Sequence, residues 1–184
     1  MPTDQECEAT LAAARTPREK ALIGLMLMGG LRRREVLGLN VEDHSTNHTQ
    51  RLVRGKGHKE RVAPLCPALR DLLDRLEVRG MSPGPLFVGR TGRRITVTSF
   101  ARLLRRLLKR AGLQGEQITP RKLRHAIGAS LVREGVDIST IADLMGHSNI
   151  PTTSVYHHAS PATMPAAADR LRWRTQRDPV RAHG

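Results

Sequence analysis

Five side chains spread along the chain share one kind of chemistry: Arg32, Lys56, Arg124, His147 and Tyr156. The planar fork of arginine grips a phosphate through two N–H donors at once. A lysine can protonate a leaving alkoxide, and a histidine can hydrogen-bond a non-bridging oxygen. A tyrosine can attack phosphorus and become covalently attached. As a set they describe metal-free phosphoryl transfer, with cations stabilising the charge of the transition state. Tyr156 is the only tyrosine in 184 residues and is the candidate nucleophile; a tyrosine that merely packs a helix is the alternative. No Walker loop and no paired-carboxylate metal motif suggests another route.

Composition narrows the partner. Lys plus Arg is 31 against 17 Asp plus Glu, a net charge of +14. Such an excess points to a polyanion, most often nucleic acid. With two Phe, one Trp and one Tyr, the chain lacks the aromatics of a platform that stacks single-stranded bases. A duplex held through its phosphates fits better. Cys7 and Cys66 form no CxxC, so neither a disulfide framework nor a zinc site is expected. The polar start, Met1 to Glu8, has no apolar signal core, and no apolar run approaches membrane-spanning length. The expected setting is the bacterial cytoplasm, with no membrane partner.

The elements that must position the five residues read mainly as helices. Thr3-Asp4-Gln5-Glu6 is a capping box that opens a helix to about Arg15. Thr16-Pro17-Arg18-Glu19 repeats the signal, and the helix it opens carries Leu22, Ile23, Leu25, Met26 and Met28 before Gly29-Gly30 stops it. That helix is almost wholly apolar and is expected to be central and buried. Gly30 to Leu39 forms a short helix in which Arg32 and Glu35, three apart, share a face. Its arginine triplet is either a solvated turn or one arginine turned into an anion site and held by a carboxylate. Val41-Glu42-Asp43 reads as extended. Arg51 to Arg54 and Arg61 to Pro64 flank a glycine-bearing turn, a small antiparallel β-hairpin with Lys56, His58 and Lys59 at its tip. A merely solubilising turn would look the same. Pro67 opens a helix with Leu69, Leu72, Leu73 and Leu76 on one face.

Thr98 to Ala111 is the clearest amphipathic segment. Phe100, Leu103, Leu104, Leu107, Leu108 and Ala111 make its apolar stripe, and Arg102, Arg105, Arg106, Lys109 and Arg110 its other face. Five cations and no acid suggest contact with a phosphate backbone or a major groove, against a plain basic face. Leu123 to Glu134 and the segment capped by Asp137 are helical, the latter ending at Gly146-His147. A terminal helix is expected from Met164 to Arg177, and a disordered tail at 178–184. The fold class is therefore mainly α with a small antiparallel β-hairpin (α+β), in one domain spanning 1–177.

With these segments in place, the chain resembles the catalytic domain of the tyrosine recombinases, the family of phage integrases and Xer recombinases. Gly30-Leu31-Arg32-x-x-Glu35 resembles the first-arginine box, and Gly55-Lys56-Gly57-x-Lys59-x-Arg61-x-x-Pro64 the β-hairpin lysine box. Leu123-Arg124-His125 resembles the second-arginine box, Leu144-Met145-Gly146-His147-Ser148 the Leu-Gly-His box, and Thr152-Thr153-x-x-Tyr156-x-His158 the nucleophile box. The five stand in the family's order and spacing. The resemblance implies a site-specific recombinase or integrase, of the kind found on mobile elements, acting on double-stranded DNA as a homo-oligomer, a tetramer, with no cofactor or metal. It implies that Tyr156 forms a 3′-phosphotyrosyl link, Arg32 and Arg124 clamp the non-bridging oxygens, Lys56 is the general acid and His147 supports the phosphate. Lys59, with Arg102, Arg105, Arg106 and Lys109, is expected on the DNA.

Two departures stand out. The family's second box reads His-x-x-Arg, whereas here it is Arg121-Lys122-Leu123-Arg124. Arg121 takes the catalytic position but stays protonated, so it adds charge and cannot act as a general base. His125, a quarter-turn beyond Arg124, reads as a packing or supporting residue rather than a replacement. The chain also starts about where the family's catalytic domain starts, so the N-terminal core-binding domain is expected to be absent. A catalytically impaired, truncated DNA-binding remnant is the alternative function.

Overall fold

In the computed structural model of the chain, the described residues are 1–43, 50–54, 60–76, 81–113 and 118–146. Seven helices occur among them: α1 Asp4–Ala12, α2 Pro17–Leu27, α3 Arg33–Gly38, α4 Pro67–Asp74, α5 Val97–Arg110, α6 Pro120–Arg133 and α7 Ile138–Met145. Strands β1 Gln50–Arg54 and β2 Glu60–Pro64 pair antiparallel, from Gln50 opposite Pro64 to Arg54 opposite Glu60. The turn that would join them, with Lys56 and Lys59, lies outside the described residues, as do the expected terminal helix and the tail.

The caps at Thr3, Thr16 and Asp137 are those the sequence predicts, and Thr96 and Thr119 add two more. Thr3 and Glu6 exchange bonds at the start of α1, the Thr3 amide donating to Glu6 at 2.6 Å. Thr16, Thr96 and Thr119 accept the amides of Glu19, Ser99 and Lys122. Asp137 accepts two amides at the start of α7. These bonds satisfy helix N–H groups that have no partner inside the helix.

Helix α2 is the hub. Every residue from Ala21 to Leu27 is buried, and α1, α3, α4 and α6 pack around it. Gly24 permits the closest approach, since a Cβ there would stand 2.8 Å from the Leu72 side chain on α4. The stripes of α5 (Phe100, Leu103, Leu104, Leu107, Leu108) and α6 (Leu123, Ile127, Leu131) close the same core. Cys7 and Cys66 are both buried in it, and burial pushes the Cys7 thiol up to about 12. No helix among the described residues is long and apolar enough to cross a membrane.

Two sequence expectations need correction. Val41–Asp43 is a 3-10 turn rather than an extended piece. The buried Asp43 carboxylate accepts the Asn40 amide at 2.8 Å and curls the backbone there. The second concerns the cationic face of α5. Its one-signed charge is a property of the sequence window, because folding brings Glu19 of α2 against it. Glu19 pairs with Arg106 at 2.9 Å and Arg110 at 3.3 Å.

Candidate active site

The site begins at a glycine. Gly30 has φ +60, a conformation open to glycine at little cost, and it turns the chain sharply from α2 into α3. Arg32 is the residue before the first turn of α3. Its amide donates to Glu35 Oε2 at 2.7 Å and its Nη1 to Glu35 Oε1 at 2.9 Å. A single carboxylate thus caps the helix and aims the guanidinium. The triplet resolves as the carboxylate-held alternative predicts, with Arg32 the arginine held.

Arg124 comes from α6, where it is 5% exposed among Leu123, Ile127 and Leu131. A buried guanidinium needs acceptors. Arg124 Nη1 donates to the Gly30 carbonyl at 2.6 Å, and Nη2 donates to the Met145 carbonyl. Nη1 also lies 3.7 Å from Glu35 Oε2, so Glu35 serves both arginines. Arg32 Nη2 donates to the Gly146 carbonyl at 2.9 Å. The carbonyl end of α7 is therefore tied to both guanidinium groups. Gly146 caps that helix in the left-handed conformation, at φ 62.

Between α3 and the start of α6 lies a cavity of about 590 Å³. Arg32, Arg33, Arg34, Arg121, Arg124 and His125 line it, with Thr119 and Pro120. Among the described residues, five arginines and no carboxylate line this concave wall, which focuses a positive potential. Arg121 Nε donates to His125 Nε2 at 3.2 Å, one helical turn on. The imidazole is held below its ordinary pKa by burial, and further by Arg121 and Arg124. It is therefore neutral near pH 7, with its own proton on Nδ1.

Of the residues singled out in the sequence, Arg32, Arg121 and Arg124 come together here. Lys56, Lys59, His147 and Tyr156 lie outside the described residues. Arg102, Arg105 and Lys109 are exposed on α5, while Arg106 is engaged by Glu19. Sequence reasoning gave His125 a packing or supporting part and left Arg33 and Arg34 without a role; all three line the cavity, and His125 supports Arg121. The spacing of four between Arg121 and His125 is the signal that marks a helix-face pair.

Known proteins resemble this chain in sequence and fold. The model of the phage integrase family matches residues 3–163. The chain is 39% identical over 152 residues to tyrosine recombinase XerD of Brucella suis, covering 77% of this chain and 48% of that protein. It is 35% identical over 150 residues to tyrosine recombinase XerC of Chlamydia caviae, covering 78% and 47%. The crystal structure of the XerA recombinase superposes with a TM-score of 0.72 at 26% identity, over 92% of this chain and 58% of that one. The chain spans about half the length of the curated relatives it matches. With its arginine cavity built on the boxes that suggested the resemblance, and a family match running through most of its length, the chain belongs to the phage integrase family.

Proposed function

We propose that this chain is the catalytic domain, residues 1–177, of a site-specific DNA recombinase that cuts and rejoins double-stranded DNA through a 3′-phosphotyrosyl intermediate. The observation that carries the reading is the convergence of Arg32 and Arg124 on one cavity, both oriented by Glu35. Two guanidinium groups fixed on one concave wall suit the non-bridging oxygens of a single phosphodiester.

In this reading Tyr156 Oη attacks phosphorus, and the bond from phosphorus to the 5′-oxygen breaks. The leaving oxygen takes a proton from Lys56, and His147 steadies the phosphate. Rejoining runs the same step backwards, with a 5′-hydroxyl attacking the phosphotyrosine. The bond energy is kept in the tyrosyl ester, so no external energy source enters the exchange. Lys59, from the same motif as Lys56, also contacts the DNA. Arg102, Arg105 and Lys109, with Arg106 beside Glu19, lie along the DNA. Four copies assembled on two duplexes would complete the exchange.

The test is covalent trapping on a nicked duplex carrying the candidate site. A denaturing gel should show a protein–DNA adduct that Tyr156→Phe abolishes. A protein that binds its site but never forms the adduct is a DNA-binding remnant, the reading that Arg121 favours.

A further inference from the structure

Helix α3 is only six residues long, yet its first turn carries Glu35 and the cavity-lining Arg33 and Arg34. So short a helix does not hold itself, and its ends must be fixed from outside. Glu35 fixes the entry by accepting the Arg32 amide at 2.7 Å. The exit has no left-handed cap, since Leu39 is extended at φ -62, ψ 142. The carbonyls there need donors from beyond the helix.

Arg94 supplies them. Its Nη1 donates to the carbonyls of Leu37 at 3.1 Å and Leu39 at 2.9 Å, and its Nη2 donates to Asn40 Oδ1. Backbone bonds fix where Arg94 itself stands. The Leu86 amide donates to the Leu39 carbonyl at 2.9 Å, the Ile95 amide to the Phe87 carbonyl at 2.8 Å and the Gly89 amide to the Arg93 carbonyl at 2.7 Å. The guanidinium thus reaches back from the start of α5 to the exit of α3. Its bonds among the described residues all go to neutral oxygens. A cation at the carbonyl end of a helix also suits the helix dipole.

Arg94 does not line the arginine cavity, so it can act there only through α3. Leu37 follows Glu35 by two residues, about half a turn and about 3 Å along the axis. A shift at the exit therefore reaches Glu35, and Glu35 aims Arg32 through Nη1 at 2.9 Å. Arg124 is held by the Gly30 and Met145 carbonyls, which lie outside α3. Arg32 is the member of the pair that depends on this helix.

We propose that Arg94 is a positioning residue for the arginine site: it caps α3 and thereby sets the place of Glu35 and of the Arg32 guanidinium. The role rests on the cleavage reading given above.

The experiment measures single-turnover adduct formation on the nicked duplex over a range of duplex concentrations, with rates corrected for the folded fraction found by thermal unfolding. Arg94→Ala should lower the saturating rate about 10- to 100-fold, as a misplaced group does, and leave the half-saturating concentration within about twofold. Lysine keeps the charge but lacks the planar fork that spans several acceptors, so Arg94→Lys should recover only part of the rate. Arg133→Ala removes the same charge at an exposed pair with Asp4 of α1 and should match wild type. A second readout needs no cleavage. The Arg32 Nε–H NMR signal, identified by its loss in Arg32→Lys, should move in Arg94→Ala before any DNA is added. An unmoved signal overturns the proposal, as does an unchanged saturating rate. A loss confined to the half-saturating concentration also overturns it, by making Arg94 a DNA contact. Full activity in Arg94→Lys overturns it by reducing the role to charge. A wild-type chain that forms no adduct sinks the cleavage reading alone, and the NMR signal then decides on Arg94.

Discussion

Arg124 Nη1 donates to the carbonyl oxygen of Gly30 at 2.6 Å, joining segments 94 residues apart. The bond fastens α6 to the turn that launches α3, so Arg124 holds the scaffold as well as the cavity. Removing its side chain leaves the Gly30 and Met145 carbonyls without this donor and takes a cation from beside Glu35. Arg124→Ala should destabilise the protein by about 3 kcal/mol, as expected for buried polar groups losing their partner. Arg32 is 46% exposed at its side chain. Its truncation should cost about 1 kcal/mol or less, in the range of exposed pairs. Urea unfolding of both variants tests the contrast; equal losses would show that Arg124 is not the scaffold member. Both variants should lose the covalent adduct.

Glu19 gives a pH signature. Burial pushes its carboxyl upward, but the Arg15 amide and the Arg106 and Arg110 guanidinium groups outweigh that and hold it below its ordinary 4.5. The unfolded chain therefore takes up the proton first on acidification. The stability Glu19 contributes is complete above about 4.5 and is lost as pH falls through the lowered value. Glu19→Gln should cost about 1–2 kcal/mol at neutral pH, the scale of a charge-assisted hydrogen bond. The gap from wild type should close as the pH is lowered from 4.5 through the depressed folded-state value in a series of unfolding curves. A gap that stays constant would mean that the charge on Glu19 does not matter.

Arg121 sets the rate prediction. A permanent cation at this position supplies charge but no proton acceptor, and acid–base contributions are typically about 10²- to 10⁴-fold. Arg121→His should raise the rate of adduct formation on a nicked duplex, with the gain strongest above pH 6.5, where an imidazole is neutral. No gain at any pH would show that the site is not short of a base. The same change removes the Arg121–His125 hydrogen bond, so the unfolding midpoint must be measured alongside.

What could be read from the sequence was local. Capping residues at Thr3, Thr16 and Asp137 act within a few positions of themselves, and the leucine stripe of α5 repeats with the helix. These patterns need no knowledge of the rest of the chain. The first-arginine motif was equally legible, since Arg32 and Glu35 meet within one turn. Long-range pairings were not. Glu19 reaches Arg106 and Arg110 across 87 and 91 positions, so the α5 face looked free of acid. Arg94 lies in a basic, glycine-bearing stretch, Gly89 to Arg94, with no local sign that it braces the end of α3. Val41–Asp43 looked extended because a β-branched residue begins it, whereas the Asp43 side chain decides its shape. Arg124 stands out through its motif, but nothing local indicates that backbone carbonyls from two other elements are its partners.

Those carbonyls have a further consequence. Gly30, Met145 and Gly146 hold both guanidinium groups through their main-chain carbonyls. A long arginine side chain carries rotamer entropy worth about 2 kcal/mol when free to move. Here much of that freedom is surrendered during folding, so a phosphate entering the cavity does not have to immobilise the groups that receive it. In the proposed reading the arginines are preorganised by the protein's own main chain, and affinity that a floppier pair would lose to ordering is kept for the phosphate.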